Sequence, residues 1–228
     1  MSVTEMLLLA LGGALIGMDV VSFPQAMISR PIVAATLGGT VLGAPATGLL
    51  LGAVLELIAL ETLPVGASRY PEWGSASFVS GALLVHVSPH PSVPAMLGAV
   101  LGAVGVGYLG GWTMYVLRRI NGSLTTRFLP DLDAGSSSAL VRLQALGLLA
   151  DFVRGALLSF AALLVVQPVL LALVRRWRAP DDVAIWALAG LAVAVAMGAA
   201  WKLFHGVPGT LWFFAGGLVI GLGLVATL

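Results

Sequence analysis

The sequence predicts an all-α, polytopic integral membrane protein with about eight transmembrane or re-entrant helices, several of them broken by glycine and proline. Three observations carry that expectation. Hydrophobic residues make up 59% of the 228 and charged residues only 9%, with a mean hydropathy of +1.05, which no ordinary soluble domain approaches. Apolar segments recur from Leu7 to the last residue, near or somewhat below the ~20 residues that span a hydrocarbon core. Within one of them, Ser29 to Ala67, Glu56 and Glu61 interrupt an otherwise apolar run. An ionisable group at mid-bilayer costs about 2.5 to 3.5 kcal/mol even on the lenient insertion scale, so Glu56 is a candidate site residue by default. A single membrane-embedded domain over residues 1–228 is expected, with no soluble appendage.

Composition excludes several function classes. Eleven basic against ten acidic residues give a net charge of +1, which offers no basic stripe for a nucleic acid. There is no cysteine, so disulfides, thiolate metal sites and thiol nucleophiles are absent together. No GxxxxGK[ST] occurs, so ATP is not the direct energy source. Neither a cofactor nor a metal is expected: His86 and His90 are four apart, but Pro89 and Pro91 break the helix such a pair would need. An intramembrane hydrolase using Asp19 with Asp151, or a Ser with a His, lacks both a strained serine turn and matched acid spacing. No catalytic residue is nominated.

Taken in order, Met6 to Val21 reads as a first helix, retained because Glu5 stands where a signal peptide would be basic. Gly13 and Gly17 suit close helix packing. Asp19 ends this run, and Ser22, Pro24, Gln25, Ser29 and Arg30 follow on irregular backbone between prolines. Two readings of Asp19 stand: a cap or partner for Arg30, or a residue lining a substrate path. Pro31 to Gly43 and Pro45 to Glu61 are both short, and paired short segments broken by Gly and Pro point to discontinuous transporter helices. Five residues separate Glu56 from Glu61, about 140° around a helix, so they do not form a carboxylate pair on one helix. Thr62 to Ala76 fits no regular span and is either a re-entrant loop or an interfacial loop anchored by Tyr70 and Trp73.

Phe78 to Val87 is a further short apolar piece, and Pro94 to Leu117 the clearest full span. Arg118 to Ser138, the longest polar stretch, is expected to connect two halves. Its arginines, and those at 175, 176 and 178, favour the cytoplasm, which would require an even number of crossings between them. Ala139 to Ala150 has no settled placement, whereas Phe152 to Val174 reads as a span. Asp151 and Arg154, three apart, are read as neutralising each other. Val183 to Ala200 and Thr210 to Leu228 complete the chain, with Lys202 and His205 expected at the interface.

The blocks SRPIVAATLGGTVLG, PATGLLLGAVLELIALE and LPVGA resemble the signature of the IIC subunit of the mannose/fructose/sorbose family of bacterial phosphotransferase systems. LGLLADFVRGALL and WFFAGGLVIGLGL extend the likeness more weakly along the chain. The resemblance implies a multi-pass inner-membrane protein that translocates a hexose or related sugar while partners phosphorylate it. Those partners are a IID membrane subunit and cytoplasmic IIA and IIB phosphocarriers, with assembly as a homo-oligomer in the bilayer. It implies no phosphorylated residue on this chain, an elevator-like motion, and a sugar site at the Glu of LELI, here Glu56. Asp19, Gln25 and Glu61 are further candidates for that cavity. Pro64 stands where mannose-type members have Asn, and Glu61 where they have a small residue. Stand-alone secondary transport and a degenerate receptor or regulatory role are the competing functions.

Overall fold

The computed structural model describes residues 1–60, 70–90, 92–180 and 206–226, with scattered positions between 182 and 201. Among these the chain forms α1 (Val3–Met18), α2 (Pro31–Val41), α3 (Pro45–Ala59), α4 (Trp73–Val87), α5 (Val93–Asp133), α6 (Ser137–Arg176) and α7 (Thr210–Ala226). No strand occurs among the described residues.

Local chemistry sets the ends. Ser2 caps α1 by accepting from the Glu5 N–H, while the Glu5 side chain accepts from the Ser2 N–H, a capping box that starts the helix three residues before its apolar run suggests. Pro31 and Pro45 occupy the first positions of α2 and α3, where a missing N–H costs nothing. Between them Gly43 takes φ +84 with open space around it, so it serves the reversal. The α2–α3 hairpin then closes on small residues. A Cβ at Gly48 would stand 2.3 Å from the Ala35 carbonyl oxygen, and one at Gly39 would stand 2.9 Å from the Gly48 Cα.

Helix α4 is the axis of the bundle: residues Trp73 to Val85 are all buried, and α1, α2, α3, α5 and α6 all pack against it. Its sequence WGSASFVSGALLV explains how, because small side chains let five helices approach. Gly38 on α2 meets the Phe78 carbonyl and Gly81 meets that of Ala35, each too closely for any Cβ. One apolar cluster joins Leu9, Ile16, Phe78, Val79, Leu83, Leu158 and Leu163. A second joins Leu51, Leu55, Trp73, Leu84, Ala99 and Val100.

Two expectations are corrected here. Arg118 to Ser138 is not the connection between halves: α5 runs on through Asp133, and only Ala134–Ser136 separates it from α6. The helix runs through Asn121-Gly122 and Pro130, Thr125 and Thr126 return their hydroxyls to the carbonyls four residues back, and it ends before Gly135 at φ +77. Likewise the piece Ala139 to Ala150 and the span Phe152 to Val174 form one helix through Asp151 and Arg154. At 41 and 40 residues, α5 and α6 are each roughly 60 Å long, twice a ~30 Å hydrocarbon core. They are the two described helices long and apolar enough to cross a membrane. Arg118 lies within α5 and Arg175 in the last turn of α6, with the apolar part of α6 between them along the chain.

Candidate functional site

The α2–α3 hairpin brings the last turn of α3 beside the first turn of α2. Glu56 uses that proximity: one oxygen accepts from the Arg30 guanidinium and the other from the Ile32 N–H at 3.2 Å. A carboxylate at the start of α2 meets unsatisfied N–H groups and the positive end of the helix dipole. The ion pair is partly open, with the Arg30 and Glu56 side chains 33% and 18% exposed.

Asp19 closes the end of α1 and is 2% exposed. It does not pair with Arg30. Its carboxylate accepts from the Ala26 N–H at 2.6 Å, the Ser29 N–H at 2.9 Å and the Ser29 hydroxyl at 2.8 Å. It therefore shapes the 19–30 loop and fixes Ser29. Gln25 lies on the outside of the same loop, with its amide donating to the Val21 carbonyl at 2.9 Å. Glu61, Arg69, Lys202 and His205 lie outside the described residues.

Between the loop, the start of α2, the end of α3 and the segment entering α4 is a cavity of about 60 Å³ lined by Val20, Ser29, Arg30, Pro31, Ala59, Tyr70, Pro71 and Trp73. Tyr70 and Trp73 are 8% and 7% exposed, so both are inner wall rather than surface anchors. The Arg118 guanidinium donates to the Tyr70 hydroxyl at 2.9 Å and lies 5.2 Å from its ring centroid, which ties this wall to α5. Arginine donors, a serine hydroxyl and two aromatic rings suit a polyhydroxylated ligand: the polar groups meet hydroxyls and the rings meet C–H faces. The cavity volume is far below the ~300 Å³ floor of small-molecule sites, so admitting a sugar requires the walls to part. Larger cavities of about 710 and 440 Å³ lie along α5 and α6. Thr113 and Arg154 are the polar residues among their otherwise apolar linings, which suit acyl chains rather than hydroxyls.

Of the four nominated residues, Glu56 and Asp19 act on the cavity through Arg30 and Ser29, whereas Gln25 stands apart from it. Sequence reasoning missed Arg30 as a wall residue and as the partner of Glu56. It also missed Glu72, which is fully buried. Its N–H donates to the Gly107 carbonyl at 2.8 Å, and its side chain caps α4 at the Ser75 N–H at 2.9 Å. Those bonds fix the chain between Tyr70 and Trp73. The available signal was an acid three residues before a serine at a helix start. Asp151 and Arg154 do form the expected pair, at 2.9 Å. Among the described residues no group of three His, Cys, Asp or Glu could hold a metal.

Apolar helices around a partly open ion pair and a small aromatic-walled cavity fit an integral membrane protein. The chain belongs to the family described as the sorbose-specific IIC component of the phosphotransferase system, whose pattern matches residues 3–201. Among curated proteins it is similar to the sorbose-specific EIIC component of Lacticaseibacillus casei, 34% identical over 37% of this chain and 30% of the relative. The sorbose-specific EIIC component of Klebsiella pneumoniae is 45% identical over 25% and 21% of the two chains. The mannose-specific EIIC component of Escherichia coli K12 is 36% identical over 34% and 29%. The matched stretches thus span about a third or less of these relatives. Two solved structures share the fold at 22% identity, each over 100% of this chain and 93% of the other: a membrane protein at TM-score 0.73, and the mannose transporter ManYZ in complex with a microcin at TM-score 0.61.

Proposed function

We propose that this chain is the sugar-translocating IIC subunit of a bacterial phosphotransferase system, moving a hexose or related sugar across the inner membrane while partner subunits phosphorylate it. In this reading residues 1–228 form one multi-pass membrane domain of about eight transmembrane or re-entrant helices. It works with a IID membrane subunit and with cytoplasmic IIA and IIB phosphocarriers, as a homo-oligomeric assembly. The observation that carries the reading is the coincidence of the family match over residues 3–201 with the Arg30–Glu56 pair beside a cavity walled by Tyr70 and Trp73.

The chemistry follows from that pair. A sugar hydroxyl can donate to a carboxylate and accept from a guanidinium, so a bound sugar can replace part of what Arg30 and Glu56 give each other, with charge-assisted bonds that exceed neutral ones. In this reading the described site supplies binding groups, and the phosphoryl transfer is the partners' step. Relatives are called sorbose-specific, fructose and mannose components, which makes these three hexoses the first to test. In vesicles, labelled hexose should accumulate as its phosphate only with the complete set of partners. Unmodified sugar moved by this chain alone would replace the proposal with secondary transport.

A further inference from the structure

The 19–30 loop delivers Ser29 and Arg30 to the cavity, and three carboxylates fasten it. Asp19 holds its Ala26 and Ser29 amides, Glu56 holds Arg30, and Asp151 accepts from the Ser22 hydroxyl. The third contact is long-range and joins the loop to the α5–α6 hairpin. Asp151 is fully buried and is itself fixed by Arg154, whose Nε donates to it at 2.9 Å and whose Nη1 donates to the Thr113 hydroxyl at 3.2 Å. The loop needs such fastening, because Gln25 and Met27 adopt φ +60 and +63. Side chains other than glycine hold that conformation only where surrounding contacts over-determine it.

We propose that Asp151, fixed by Arg154 and Thr113, is a positioning residue for the sugar site: by accepting the Ser22 hydroxyl it holds the strained 19–30 loop in the form that presents Ser29 and Arg30 to the cavity. The proposal rests on the sugar-site reading above. Ser22 and Asp151 do not line the cavity, so their effect on sugar would pass through the loop. An alcohol donating to a buried carboxylate is among the stronger side-chain hydrogen bonds. Its loss leaves Asp19 and the Glu56–Arg30 pair to restrain the backbone, with nothing tying the loop's start to α6.

The absence of native cysteine allows a clean reporter. Ala26, exposed on the loop, is replaced by Cys and spin-labelled in the complete membrane complex. Ser22→Ala and Asp151→Ala should each sharpen the label spectrum. The double variant should add little to Asp151→Ala alone, since that change already removes the Ser22 contact along with the Arg154 one, and Ser22→Thr should keep the native spectrum. In uptake of sorbose, fructose and mannose, Ser22→Ala should raise KM about tenfold with maximal rate within about twofold, and Ser22→Thr should restore KM. An unchanged spectrum in Ser22→Ala overturns the anchoring, and a mobilised label with unchanged KM overturns the positioning role. If the native complex moves none of these sugars, the transport reading has failed, while the spectra still decide whether Asp151 anchors the loop.

Discussion

At the scale of single residues, the site depends on charges placed where charge is expensive. Glu56 and Arg30 answer each other's desolvation and leave a partly exposed pair at the cavity. Loss of a hydrogen bond to a charged group costs ~1.5–3 kcal/mol, roughly ten- to a hundredfold in binding. Glu56→Gln and Arg30→Ala should therefore each cut hexose uptake by at least about tenfold while the protein still reaches the membrane, as read by transport beside membrane immunoblots. The Asp151–Arg154 pair behaves differently. Removing only Arg154 strands a buried carboxylate, so Arg154→Leu should lower stability by about 3–5 kcal/mol, whereas Arg154→Leu with Asp151→Leu should recover most of it. Thermal unfolding in detergent separates the two. The sequence made Glu56 legible because a lone acid in an apolar run is conspicuous. Its partner was not legible, since Arg30 lies closer in the chain to Asp19 and only the α2–α3 reversal brings it to Glu56.

At the scale of elements, short-range chemistry was read well and long-range continuity was not. Pro31 and Pro45 marked the starts of α2 and α3, because that signal acts within a turn or two. The end of α5 and the start of α6 were not legible because both hydropathy and helix propensity fall after Arg118, at Asn121-Gly122 and Pro130, yet α5 persists until Gly135. Glycine positions give a sharp test of the packing. A Cβ at Gly38 would lie 2.1 Å from the Phe78 carbonyl oxygen, whereas one at Gly105 meets nothing within 4 Å. Gly38→Ala should destabilise the bundle by about 1–3 kcal/mol, as overpacking does. Gly105→Ala should be neutral or stabilising by up to ~1 kcal/mol, as expected in a helix interior. Melting temperatures of the two variants in one detergent decide it.

At the scale of the molecule, α4 forms an axis surrounded by α1, α2, α3, α5 and α6, and the cavity opens where the 19–30 loop and the entry to α4 meet that axis. The arginines at 118 and 119 on α5 and those at 175 and 176 in the last turn of α6 carry a topological consequence. Single cysteines replacing the exposed Arg119 and Arg178 should react with an impermeant maleimide from opposite sides of the membrane. Labelling of both from one side would mean that the hairpin folds back on itself. The all-helical membrane architecture was legible from composition and segment lengths alone, because both respond to the bilayer as solvent. The cavity was not, since its walls come from four separate parts of the chain.

The most direct test of the central claim is phosphorylation-coupled uptake of labelled sorbose, fructose and mannose in vesicles containing this chain with its IID, IIA and IIB partners, for native protein and Glu56→Gln. Sugar phosphate should appear inside the vesicles only with the full set, and at least about tenfold less with Glu56→Gln at equal assembly. Accumulation unaffected by Glu56→Gln, or free sugar moved without partners, would contradict that claim.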